Sequence, residues 1–265
     1  MRAPFCAALL LVAGVFSASD MRAAGEKAKA TPSFCQEDKE AGFADGGSNF
    51  CAPTAISNGI IYLAQHRGLT ALAPSAEHSD QIALIKELAV EMATDPKEGT
   101  NPDKIVTGLR HYVESKGLHI KRMEVASWRK LGAANKSCLV GTKPDLDWMR
   151  QAANDPDCIE VFNVGWYRQA QVGYLRNSGH WVTVVGARTG MDFAIHNPLL
   201  ESEAQRQNRA VTLTPLTADF KTVNAAGQST GNMNGYYRVD GRGLPFGGKT
   251  AAAVLDSVII FSVQK

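Results

Sequence analysis

The chain has 265 residues, 45% of them hydrophobic and 20% charged, enough for one domain with a sizeable core. Its 28 basic and 26 acidic side chains are interspersed and leave a net charge of +2, so no basic or acidic block marks a nucleic-acid partner. Charge alone says little about substrate.

At the N-terminus Arg2 is followed by an apolar run from Ala3 to Phe16, which has the length of a signal-peptide core and is too short to span a bilayer. Residues 1–19 therefore read as a signal peptide. Ser17 and Ser19 fit a cut after Ser19, whereas Ala23 and Gly25 fit one as late as residue 25. The protein is expected to be exported, periplasmic or extracellular, without stable membrane insertion. Residues 20–42, rich in Lys and Ala at their start, read as an N-terminal linker to one domain over 43–265.

Within that domain the apolar spacing of Ala55, Ile56, Ile60 and Leu63 predicts a core-facing helix from Pro53 to Gln65. A second helix is predicted from Asp80 to Met92. A third opens at Asn101-Pro102, with Asn101 as cap, and closes at Gly117. A short strand (Ile120 to Val125) and a helix (Asp145 to Ala153) follow. Beyond them, runs rich in Val, Ile, Phe and Trp predict strands over 159–166, 181–187, 193–195, 210–213 and 257–263. Residues 224–243 carry several Gly and Asn and no apolar period, so they read as irregular. Helices first and sheet afterwards gives an α+β class.

Export makes disulfides possible. Cys6 falls in the signal, leaving Cys35, Cys51, Cys138 and Cys158, which could form two disulfides, or one disulfide with two thiols left over. There is no CxxC pair and hence no zinc ribbon. Cys51 is distinctive because it stands at a helix mouth, where unpaired N–H groups and the helix dipole favour a thiolate. His180 stands at the mouth of an apolar strand in Ser178-Gly179-His180-Trp181-Val182-Thr183. Asn197, after His196 and before Pro198, ends the neighbouring strand of a hairpin and could orient the imidazole. His66, His78, His111 and His119 lack ligand-spaced partners, so no metal is expected, and His196 points to the opposite strand face. Trp166, Tyr167, Tyr174, Trp181, Tyr236 and Tyr237 belong either to the core or to a cleft for an extended peptide or glycan.

The segments NFCAPTAISNGIIYLA and SGHWVTVVGA, with GTNPDKIVTGLRHYVESKG between them, resemble the papain-like cysteine peptidases, specifically those similar to bacteriocin-processing, double-glycine-leader peptidases. The resemblance covers roughly Phe43 to Pro198. It implies a papain-like α+β fold, with N-terminal helices packed on a C-terminal antiparallel sheet. It also implies a thiol hydrolase of a peptide or protein substrate that needs no cofactor, in which Cys51 attacks, His180 shuttles the proton and Asn197 orients His180. A Cys51–His180 ion pair with a lowered thiol pKa is implied too. Such enzymes place a Gln six residues before the nucleophile; here that position is Asp45, which cannot donate to an oxyanion, leaving Asn49 or Gln36 with the Cys51 N–H as donors. With Cys51 reserved for chemistry, Cys138 and Cys158 are expected to pair and Cys35 to stay single. The alternatives are a non-catalytic domain of this fold that binds peptide or cell-wall material, and amidase or acyl-transfer chemistry. Without a membrane domain, leader specificity does not carry over.

Overall fold

A computed structural model describes residues 25–199, 202–207, 209–241, 244 and 250–265. The predicted signal peptide, residues 1–19, lies outside these. In chain order the elements are α1 (Cys51–His66), α2 (His78–Glu91), α3 (Pro102–Ser115), β1 (His119–Ser127), β2 (Leu139–Gly141), α4 (Leu146–Asn154), β3 (Ile159–Gln169), β4 (Tyr174–Ala187) and β5 (Asp192–His196). There follow a single-turn α5 (Glu203–Arg206), β6 (Arg209–Pro215), β7 (Lys221–Val223), β8 (Ser229–Asn232), β9 (Tyr237–Asp240) and β10 (Ala252–Gln264).

The α+β layout and the N-terminal position of the helices agree with the sequence reading, but the papain-like arrangement does not. Strands β3, β4, β5, β6, β9 and β10 pair antiparallel in that order, and β10 returns to pair with β3, so the sheet closes into a six-stranded barrel. Closure depends on β9, which pairs with β6 over four residues and with β10 through Val254 and Arg238. That strand lies inside the stretch read as irregular. Four residues between Gly- and Asn-rich turns give too short an alternation to register as a strand, and without β9 the barrel cannot be inferred. Strands β1 and β2 extend the sheet from β10, and the β7–β8 hairpin extends it from β4.

Alternation along the strands divides the core in two. Phe162 and Val164 of β3, Val182 and Val184 of β4, Phe193 and Ile195 of β5, and Val258 and Ile260 of β10 form one cluster with Met149, Ala152 and Ala153 of α4. The opposite faces, through Ile159, Val161, Trp181, Ile259 and Phe261, pack against α1 and α3. Each such side chain contributes about 1.5–3 kcal/mol by leaving water. Helix α1 is buried from Cys51 through Ala64 and lies close enough to β3 that a Cβ on Gly59 would stand 2.4 Å from Ile159 Cγ2. Asn101 caps α3 by accepting from the Lys104 N–H, with Pro102 in the first turn.

The described part of the segment before residue 43 packs onto this body. Lys27 Nζ donates to the carbonyls of Ala153, Asp155 and Cys158. Phe34 and Ala41 share a cluster with Phe43, Phe50, Ile85 and Ala89.

Candidate active site

Cys51 is the first residue of α1, and no side chain caps the N–H groups there. Its thiol faces the backbone N–H groups of Trp181, Ala52 and Cys51 itself, all of which favour the thiolate, yet burial outweighs them and pushes the thiol up to about 11. The helix mouth thus supplies real donors, yet the thiol moves opposite to the expected direction, because a residue 7% exposed loses more from desolvation than three dipoles return.

His180 lies on β4 opposite Val164 of β3 and directly precedes Trp181, whose N–H meets the thiol. Its ring stacks on Trp166, with centroids 5.6 Å apart and planes 11° apart. His180 Nε2 is 2.7 Å from Asn197 Oδ1, and the Leu199 N–H donates to the same oxygen at 3.0 Å. A backbone N–H can only donate, so this atom of Asn197 is an acceptor and His180 carries its proton on Nε2. Nδ1 is left with a lone pair. Burial lowers His180 to about 4, partly offset by the Asn197 bond, so the ring is neutral at pH 7. At rest Cys51 is a thiol and His180 a neutral imidazole, so the expected ion pair is not formed.

The oxyanion candidates separate clearly. Asn49 lines the same cleft as Cys51, and its Nδ2 spends one proton on the Pro96 carbonyl at 2.7 Å, leaving the other. Gln36 is 1% exposed and uses its amide on the carbonyls of Gly47 (3.1 Å) and Ser48 (3.0 Å), so it braces the loop before Cys51. Asp45 is exposed, with φ 50° and ψ 37°, in the 3-10 turn Ala44–Gly47, and does not line the cleft.

The cleft measures about 360 Å³ and is polar. Its walls are the loop through Lys97 and Thr100, whose carbonyl accepts from Trp181 Nε1 at 3.0 Å, and the β3–β4 surface carrying Asn163, Arg176 and Gly179. Arg129 completes it. Arg176 Nε donates to Asp256 Oδ2 at 2.5 Å and its Nη2 to Asn163 Oδ1 at 3.3 Å, while Tyr167 OH donates to Asp256 Oδ1 at 2.9 Å. Asp256 reaches this position through a β-bulge: Leu255 and Ser257 oppose the consecutive residues Val164 and Asn163, leaving Asp256 as the extra residue. A Cβ on Gly165 would stand 2.1 Å from its carboxylate. The sequence reading missed these residues, although a lone Asp in the apolar run Ala251–Phe261 was a visible signal.

A second pocket of about 330 Å³ shares Arg176 with the first and is walled by Trp128, Tyr167, Met233 and Tyr236. Of the other aromatics, Tyr174 stacks on Phe220 at 4.0 Å and Tyr237 packs against the barrel cluster. His196 is buried, with Nδ1 3.1 Å from the Pro32 carbonyl, and burial lowers it to about 4.

All four described cysteines are free thiols. Cys138 accepts from Arg110 Nη2 at 2.8 Å in one core cluster, and Cys158 donates to Asp155 Oδ2 at 3.2 Å in the other, so the expected pairing between them is not made in this structure. Among the described residues no group of three or more His, Cys, Asp or Glu is placed to hold a metal ion, and no helix is long and apolar enough to cross a membrane. No protein-family model matches the chain, and no curated protein matches it.

Proposed function

We propose that this chain is an exported thiol hydrolase that cleaves a peptide or amide bond through Cys51, His180 and Asn197. The observation that carries the reading is the bond from His180 Nε2 to Asn197 Oδ1, because it fixes the tautomer that leaves Nδ1 free to accept a proton. The Cys51 thiol, which accepts from the N–H of Trp181, the residue after His180, is the donor in this reading. Since both groups rest neutral, the proton moves from Cys51 to His180 Nδ1 as sulfur attacks the carbonyl, a general-base step. Asn197 Oδ1 then faces an imidazolium, and the Cys51 N–H with the remaining Asn49 proton receives the oxyanion. Collapse expels the amine with the proton from His180, and water activated by the same nitrogen hydrolyses the thioester.

A peptide-pool assay tests this. The mature protein should release new amines and accumulate a thioester on Cys51 that mass spectrometry detects. Cys51→Ala should abolish both, and Asn197→Ala should lower turnover by about 100-fold or more. A wild-type rate equal to that of Cys51→Ala would refute it. The second reading, a non-catalytic domain that binds peptide or cell-wall material, is favoured by the depth of burial, which works against ionising either Cys51 or His180. It predicts binding to the cleft with no Cys51-dependent chemistry.

A further inference from the structure

The charges around the cleft do not close. Lys97 and Glu98 are exposed neighbours on its rim and offset one another, which leaves Arg129 and Arg176 facing a single carboxylate, Asp256, that is fully buried. Asp256 is already hydrogen-bonded to Arg176 and Tyr167. Arg129 is half-buried and its guanidinium lies 5.5 Å from the centroid of the Trp128 ring, which leaves its N–H fork without an acceptor among the described residues. Arg176 repels it and Asp256 attracts it without bonding to it. Two guanidiniums on one carboxylate, in a concave polar site, form a receptor that lacks one anion.

We infer that the cleft beside Cys51 selects substrates with a carboxylate close to the scissile bond, held by the open fork of Arg129. The inference rests on the thiol-hydrolase reading for the position of the scissile bond, and on the arginines alone for the carboxylate. A guanidinium fits a carboxylate with two parallel N–H···O bonds, which a neutral amide of the same shape cannot reproduce. The Trp128 face beneath Arg129 keeps the fork oriented, and the Arg176–Asp256–Tyr167 network keeps the second cation from folding away.

The test uses internally quenched hexapeptides carrying a single Glu, or Gln at the same place, at each position in turn. At one position the full-length mature protein should prefer Glu over Gln by about tenfold or more in kcat/KM, mostly through KM, and the preference should shrink as salt rises. Arg129→Gln should bring that ratio close to one, and Arg129→Lys should restore part of it. A ratio near one at every position, or a preference that survives in Arg129→Gln, overturns the inference. If no peptide is cleaved, binding of the same pairs to Cys51→Ala protein by calorimetry decides separately. Tighter binding of the Glu member that is lost in Arg129→Gln upholds the anion site while the hydrolase reading falls, and equal binding of both members overturns the anion site as well.

Discussion

Iodoacetamide at pH 7 should reach Cys51 of the native protein slowly, and how slowly follows from the structure. Burial raises the thiol from 9.0 to about 11. At pH 7 that leaves about one thiolate in 10,000 against about one in 100 for an unburied thiol, a difference of about 100-fold before any hindrance to the reagent. His180 cannot reverse this, since its lowered pKa of about 4 leaves it neutral where an imidazolium would be needed. Timed labelling at pH 6, 7 and 8, read by peptide mass spectrometry, should show half-exposed Cys35 modified first and Cys51 tenfold faster for each added pH unit. Unfolding in urea should bring Cys51 to the free-thiol rate. Rapid labelling of Cys51 at pH 6 that is lost in His180→Ala would refute this reasoning and establish a preformed ion pair.

Acid should weaken the fold through His180 and His196. Each moves from 6.5 unfolded to about 4 folded, so their contribution is complete above pH 6.5 and is lost as pH falls towards 4, where the unfolded chain binds the proton first. The loss is about 3 kcal/mol per histidine, and denaturant titrations at pH 7 and 4 should show a shallower pH slope in His196→Asn; an equal slope would exclude His196. Asp256→Asn should cost about 3–5 kcal/mol by leaving Arg176 without its buried counter-charge, and an unchanged urea midpoint would refute that. Gly59→Ala should cost about 1–3 kcal/mol through the clash with Ile159, with Ile159→Ala recovering part of it in a double-mutant cycle; strict additivity would place the cost elsewhere.

The helices were legible because α1 and α3 state their periodicity and starts locally: the four apolar positions of α1, and Asn101-Pro102 ahead of α3. His180 and Asn197 were legible together because β4 and β5 are hairpin neighbours, so sequence order already places their strand ends side by side. Barrel closure was not, since it depends on β9, a four-residue strand with one fully buried apolar residue, Val239, that gains meaning only against β6 and β10. The Arg176–Asp256 pair was hidden for a related reason. A bulge shifts Asp256 out of the alternation, and no strand pattern shows which partner that shift selects. The ionisation of Cys51 was misjudged because a helix start is a local property and burial is not.

The proposed nucleophile and its base belong to different halves of the molecule. Cys51 rides on the helical layer, His180 and Asn197 on the barrel, and the joint between them is built from contacts such as Thr183 Oγ1 donating to the Ala55 carbonyl across 128 positions of chain. Contacts of that separation form late, because a long loop must be closed before they return any energy. Neither half alone holds both proposed groups, so a nascent chain with α1 made and the barrel still unfinished would not hydrolyse substrate. Recovery of Cys51-dependent activity during refolding should therefore lag the return of helical circular dichroism, and it times the docking of α1 onto β4.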